Sequence, residues 1–469
     1  MGEIEILILG AGPTGLGSAR HLSTLGHCNW ALLEASSAPG GLASSFVDSE
    51  GFVWDIGGHV QFSHYEYFDR AMRDILGPEG WLHHQRESWI WMRDRFIPYP
   101  LQNNIHRLPA GDLIRCLEGL VEICRRPRGS PQNFQDWIDQ TFGRGLAEIF
   151  MEPYNRKVWA CPPAMMNSGW VGDRVATTDL NRVLRNLVLQ QDDVSWGPNS
   201  TFQFPKRGGT GAIWQACASQ LDPGRLHFGK KVTRVDLEGR RVFTADGYEY
   251  SYCHLVSTLP LLELISLSGR TDLQPLADRG LLYSKTNVVG LGLRGRPRSD
   301  LATKCWMYFP EDDCPFYRAT VFSNYSPFNV PDISRYWSLM FEVSESPYKF
   351  VDHQSLQEDV IAGALKTRLI EDRSDIVSIW HHHSNFGYPI PSLHRDEALA
   401  EIIPLFEKYD VYSRGRFGMW KYEVSNQDHS FMQGVEAVER VHNGRQEITA
   451  FDPNYVNAKK HPWPFERWN

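Results

Sequence analysis

The sequence predicts an α/β protein: a Rossmann-type domain at the amino terminus, an inserted helical domain, and a mixed or antiparallel β-sheet domain. Three observations carry that reading. An apolar run with β-branched members breaks at a cluster of glycines. A helix-like period follows it and gives way to a second apolar run that ends in an acid. Further on, from about residue 250 to residue 380, strand-like runs dominate.

Residues Ile4 to Leu9 supply the first strand, and Gly10-Ala11-Gly12-Pro13-Thr14-Gly15 breaks it. After the break, Leu16, Ala19, Leu22 and Leu25 share one face at helical spacing, and "WALLE" forms a second strand that closes on Glu34. Strand, glycine turn, helix, strand and acid together form a dinucleotide-binding unit. Gly12 lets the backbone approach a pyrophosphate, Gly15 lets helix pack on sheet, and Glu34 reaches ribose hydroxyls, with Gly10, Pro13 and Thr14 completing the turn. Gly40, Gly41 and Leu42 follow the acid. The string "DIGGHVQFSH" (55–64) then places Gly57 and Gly58 directly before His59. Paired glycines beside an imidazole imply something bulky against the backbone, because a missing Cβ permits close contact.

The middle of the chain, from about Pro109 to Gln190, reads as mostly helical, with an interruption at Pro153 and a glycine- and proline-rich stretch from Trp196 to Gly211. "NVVGLGL", "ATVFSN" and "YWSLMFEV" suggest an antiparallel sheet, and the segment from "GRFGMW" through "VEAVE" a return to the first domain. No repeat or linker is visible, so interleaved domains are expected. Residues 1–100, 200–255 and 413–455 form the dinucleotide-binding domain, 103–192 the helical insert with a flap, and 256–412 the sheet domain.

Composition excludes several functions. A net charge of -8 disfavours general nucleic-acid binding, which needs clustered cations. A core accounts for most of the sixteen tryptophans, and the others are candidates for a stacking wall against a planar ligand. Eight cysteines without a CxxC pair support neither zinc nor a disulfide framework, and point to a reducing compartment. The amino terminus carries acids where a signal peptide carries bases, and its apolar run is too short to span a bilayer. A cytoplasmic protein with no membrane partner is expected. The triple histidine 381–383 shows no carboxylate partner in sequence, and a strand would turn its middle imidazole away, so no metal is expected.

Long strings narrow the reading further. "GGHVQFSHYEYFD" (57–69), "PYPLQNN" (98–104), "PYNRKVWACP" (153–162), "WVGDRVA" (170–176), "KCWMYFPEDDCPFYRATVFSNYSPFN" (304–329), "GYPIPSL" (387–393) and "SRGRFGMWKYEVSNQDHSFMQGVEAVE" (413–439) resemble the UDP-galactopyranose mutases of the eukaryotic, fungal type. The glycine pairs likewise resemble the FAD signature of the flavin amine oxidase superfamily. The resemblance covers the chain from Ile4 to about Ala450. It implies an isomerase that interconverts UDP-galactopyranose and UDP-galactofuranose through a sugar adduct on N5 of reduced FAD, with no net redox and with NADPH as reductant. By the same resemblance Arg174 comes from a mobile flap, while Arg318 and Arg416 hold the pyrophosphate. Tyr308, Tyr388, Tyr422 and Asn426 complete that cage. Tyr99, Gln102, Phe150, Asn155 and Trp159 hold uridine, Asn199 lies on a second flap, Trp306 walls the sugar pocket, and His59 and Gln427 lie against the flavin.

Four positions depart from the family pattern. Leu101 stands where an aromatic is usual beside Gln102, Arg156 and Gln61 replace apolar residues, and Lys421 replaces an arginine. Leu101 removes a stacking surface for the base. Two other readings stay open: a related mutase for another nucleotide sugar, and an oxidase of the amine oxidase type, which would not need three diphosphate-binding arginines. A flavin-binding scaffold without turnover would have no use for the flap strings. A homo-oligomer is compatible with every one of these.

Overall fold

The computed structural model describes residues 3–125, 129–177, 179–194 and 200–468. The strand Ile4–Leu9 lies inside a seven-stranded sheet, running parallel to Trp30–Leu33 on one side and to Glu249–Ser257 on the other. Its side chains alternate between two cores: Ile6 and Ile8 enter one, Leu7 and Leu9 the other. Burial on both faces is why this run is continuously apolar instead of alternating.

The first helix, Pro13–Thr24, starts with proline in its first turn, where the missing N–H leaves no bond unmade. Leu16, Ala19 and Leu22 are fully buried. Leu25 is not part of that face: the helix stops at Thr24, and Leu25 is 40% exposed. The return segment delivers Val411–Ser413 to the same sheet and then the helix Gln427–Asn443, which crosses the first helix. A Cβ on Gly17 would strike the backbone of Phe431, and one on Gly434 the backbone of Thr14, so the crossing depends on both glycines.

The second sheet also has seven strands, in the order Ile376–Pro389, Tyr283–Arg294, Tyr336–Glu345, Arg318–Val321, Trp306–Tyr308, Ser88–Met92 and Arg95–Pro98. It is mixed, because Trp306–Tyr308 runs parallel to Ser88–Met92. Two domain edges therefore differ from the sequence reading. Residues 88–98 extend this sheet because Ile90, Met92 and Ile97 bury against the helical insert. The helices Leu261–Leu267, Gln274–Gly280 and Arg395–Glu407, read as sheet-domain residues, cover the first sheet, with Leu264, Ile265, Ile402 and Phe406 packed in the core of Leu7 and Leu9.

In the helical insert, Phe134–Leu146 kinks at Gly143, whose φ is +70°, and leads through a π turn, Ala147–Met151, into Glu152–Trp159. Pro153 marks a local change in this region without ending the helical path. It follows just after the π turn, so the α hydrogen-bond pattern is interrupted there although the chain stays helical.

Candidate active site

One cavity of about 580 Å³ is lined by the glycine turn, by residues 56–62, and by side chains from the second sheet and the return segment. Three glycines of the first turn have separate jobs. A Cβ on Gly10 would strike the Thr258 hydroxyl, and one on Gly15 would strike the carbonyl of Gly10, so both hold strand, loop and helix together. A Cβ on Gly12 would meet no protein atom closer than 3.8 Å; its missing side chain leaves room on the cavity side. The amino terminus of the first helix opens there, a position suited to a phosphate. Glu34 lines the cavity too, and its carboxylate accepts bonds from the backbone N–H of Ala11 at 2.7 Å and of Ser36 at 2.8 Å. Gly41 and Leu42 line it, while Gly40 stands behind and donates its N–H to the carbonyl of Ala11 at 2.9 Å.

Gly57 adopts a φ of +121°, which favours glycine, and a Cβ on Gly58 would come within 2.9 Å of the Trp306 indole nitrogen. Three side-chain nitrogens on this wall, His59 Nδ1, Gln61 Nε2 and Trp306 Nε1, are buried without a hydrogen-bond partner among the described residues. Buried polar atoms are almost always satisfied, so this wall is built for a ligand that is itself polar at its edge. Burial lowers the His59 imidazole to about 4, opposed by the charge of Glu342 and reinforced by Arg416 and Arg318. His59 is therefore a neutral ring at neutral pH. Asn426 and Gln427 open the helix Gln427–Asn443 onto the same cavity, and no side chain caps its first turn. Trp214 donates its indole N–H to Gln427 Oε1 at 2.9 Å and fixes the amide.

The arginines differ in their partners. Arg318 donates two parallel bonds of 2.7 Å to Glu342, which is 2% exposed and also accepts from the Gly58 N–H at 3.0 Å and the Tyr317 hydroxyl at 2.7 Å. Burial acts against both charges, yet the pairing wins: Glu342 stays below the usual carboxylate range and Arg318 well above its ordinary value. Arg416 donates to the Gly387 carbonyl at 2.8 Å and the Ser425 hydroxyl at 2.8 Å, and its guanidinium lies 5.0 Å from the centre of the Tyr388 ring. No carboxylate among the described residues lies within ion-pair distance of it. Burial lowers its pKa, with Tyr388 and Tyr422 only partly offsetting that, though an arginine remains cationic. Arg174 reaches the cavity edge and donates to the carbonyl of Glu423 and to Asn457 Oδ1 at 2.9 Å.

Of the remaining candidates, Pro13, Thr14, Tyr99, Trp306, Tyr308, Tyr388 and Tyr422 line the cavity. Gln102, Phe150, Asn155 and Trp159 do not. They are buried in the helical insert: Gln102 donates to the Ala176 carbonyl, Phe150 stacks on Tyr154, Asn155 donates to the Met151 carbonyl at 2.8 Å, and Trp159 packs edge-on to Tyr422 and Tyr388. Leu101 is fully buried behind the same wall. Asn199 lies outside the described residues. Sequence reasoning missed Glu342, Tyr317 and Arg86; the signal for Glu342 was an acid flanked by Phe341 and Val343 in a strand buried on both sides. The triple histidine does have a carboxylate neighbour: His383 Nε2 lies 3.8 Å from Glu345. His382, on the other face, stacks on Phe46.

A family model described as flavin-containing amine oxidoreductase matches residues 13–331. A crystal structure of a reduced UDP-galactopyranose mutase is 48% identical, with 98% of this chain and 99% of that chain covered, at a TM-score of 0.95. Two further structures share the fold alone. A cyclohexylamine oxidase from Brevibacterium oxydans IH-35A is 13% identical over 94% of this chain and 99% of its own, at a TM-score of 0.67. A CLA-producing fatty acid isomerase from P. acnes is 14% identical over 93% and 98%, at a TM-score of 0.61.

Proposed function

Because this chain belongs to the UDP-galactopyranose mutase family, within the flavin-containing amine oxidoreductases, we propose that it is an FAD-dependent isomerase interconverting UDP-galactopyranose and UDP-galactofuranose. The observation that carries the proposal is Arg416, a half-buried cation without a carboxylate partner among the described residues, in one cavity with a dinucleotide-binding turn. An oxidase of neutral or cationic substrates has no use for such a charge; a diphosphate leaving group does.

Reduced FAD supplies a nucleophilic nitrogen, and the sugar returns to UDP with no net oxidation. The residues present fit that cofactor. Gly12 and the start of the first helix receive its pyrophosphate, Glu34 its ribose, and Gly57, Gly58 and the unpartnered nitrogens of His59, Gln61 and Trp306 its ring edge and the sugar beyond. Neutral His59 accepts or donates one hydrogen bond there without adding a charge. Arg416 and Arg318 stabilise negative charge on the departing diphosphate, and Tyr308, Tyr388, Tyr422 and Asn426 orient it, with Arg174 at the rim. Tyr99 faces the nucleoside, and Gln102, Phe150, Asn155 and Trp159 shape that end from behind. NADPH is the proposed reductant and the cytoplasm the proposed location, supported by eight free cysteines.

The test is to reduce the FAD-loaded protein and incubate it with UDP-galactopyranose and with GDP-, CDP- and dTDP-sugars. UDP-galactofuranose should appear from the first alone. A furanose product from another nucleotide sugar only would move the substrate, and no product from any of them would overturn the reading.

A further inference from the structure

On the sheet face opposite Glu342, three segments distant in sequence bring metal-binding groups together. Glu345 ends the strand Tyr336–Glu345, and Asn287 stands between Val343 and His383 in register, so Glu345, Asn287, His381 and His383 share one face. The helix Leu356–Lys366 covers this face through Val360, Ile361 and Ala364, which pack in one core with Val289, Phe341 and Val343. The loop that leads into that helix carries His353 back over Glu345.

The distances suit an ion. His353 Nε2 lies 3.0 Å and His383 Nε2 3.8 Å from Glu345 Oε2, and one ligand atom from each of the three lies within 4.8 Å of the others. Tetrahedral zinc with bonds of about 2.0–2.2 Å separates its ligand atoms by roughly 3.3–3.5 Å. The carboxylate is thus within about 0.3 Å of ligand spacing from both rings. The two imidazoles, with 42% and 32% of their side chains exposed, are free to turn the short remaining distance. Asn287 holds the site from behind: its amide donates to Glu345 at 3.3 Å, and its oxygen pairs with His381 at 3.1 Å. Lys285, 3.9 Å from the other carboxylate oxygen, fixes that oxygen away from the rings.

We infer that Glu345, His353 and His383 form a binding site for a divalent transition-metal ion of the zinc class, outside the active-site cavity. Two neutral imidazoles and one carboxylate are borderline ligands that favour zinc over magnesium or calcium, and leave a fourth position for water. The ion clips the loop before Leu356–Lys366 to the end of Tyr336–Glu345 and the middle of Ile376–Pro389, so its binding energy adds to the stability of the second sheet.

The experiment uses FAD-loaded, untagged protein stripped with EDTA and titrated with zinc by calorimetry, beside His353→Ala and His383→Ala. The wild type should bind about one equivalent and melt at a higher temperature with zinc, and each variant should bind at least about tenfold more weakly. Both variants should keep FAD and unfold as the metal-free wild type does, because these side chains lie at the surface. No binding by the wild type would overturn the proposal, as would unchanged affinity in either variant. The second outcome would place the ion at the buried trio His64, Asp428 and His429 beside the cavity instead.

Discussion

Arg318 and Arg416 line one cavity, yet replacing them should have unequal consequences for stability. Arg318→Ala leaves Glu342 buried, with its two 2.7 Å bonds to the guanidinium gone and only Gly58 and Tyr317 still donating. Breaking a buried ion pair on one side costs about 3–5 kcal/mol. Arg416→Ala strands no charge: it removes bonds to Gly387 and Ser425, worth about 1 kcal/mol each, and also relieves a half-buried cation of its desolvation. Its net effect on stability should stay within about 1 kcal/mol. UDP binding should show the reverse emphasis, because a charge-assisted bond worth about 1.5–3 kcal/mol leaves with Arg416, weakening affinity about ten- to hundredfold. Urea unfolding of FAD-loaded variants and calorimetric titration with UDP measure the two effects separately. In the double variant Arg318→Ala/Glu342→Gln the stranded charge disappears, so most of the lost stability should return. If Arg318→Ala unfolds no more easily than Arg416→Ala, the division of labour between the two arginines is refuted.

Three further outcomes follow from the geometry. Because burial holds the His59 imidazole down at about 4, the oxidised protein should bind UDP-galactopyranose, a diphosphate esterified at both ends with no ionisation of its own in this range, with an affinity that is flat from about pH 5.5 to 8; an inflection near 6.5 that vanishes in His59→Gln would contradict this. Asp55, fully buried against Ser45 and Thr210, is raised by burial from 3.8 to about 7, so the native state keeps a proton that the unfolded chain has lost. That contribution is complete below about 3.8 and is lost as pH rises through 7, and Asp55→Asn should flatten the fall in melting temperature over this window; an unchanged slope would count against it. Gly12→Ala should yield folded protein that loses FAD on gel filtration, whereas Gly15→Ala, whose Cβ strikes Gly10, should fail to accumulate as folded protein; similar behaviour of the two would show that these glycines do not have separate jobs.

The dinucleotide-binding unit was legible because its signals are local. Ile4 to Glu34 spell strand, turn, helix and strand within one short stretch, and the burial of Ile6 to Leu9 on both faces is written in their unbroken apolarity. Glu342 was not legible as the anchor of Arg318 and Gly58, since strand pairing sets it beside Arg318 and only the folded chain brings up Gly58, 284 residues away in sequence. The same holds for Glu345, His353 and His383, which meet only once the sheet forms. Tyr99 lines the cavity, but the uridine candidates of the helical insert, Phe150, Asn155 and Trp159, lie behind its wall for another reason. A π turn at Ala147–Met151 adds a residue to the helical path and rotates every later position, so spacing alone does not say which side of Phe150 or Asn155 faces the ligand.

The central claim is that the cavity supports isomerisation, with electrons returned in every cycle. The direct measurement is the number of UDP-galactofuranose molecules formed for each reducing equivalent supplied to FAD-loaded protein under argon. The account predicts no turnover by oxidised protein and many turnovers per equivalent once it is reduced. One product per electron pair, or hydrogen peroxide formed in step with substrate loss in air, would contradict it.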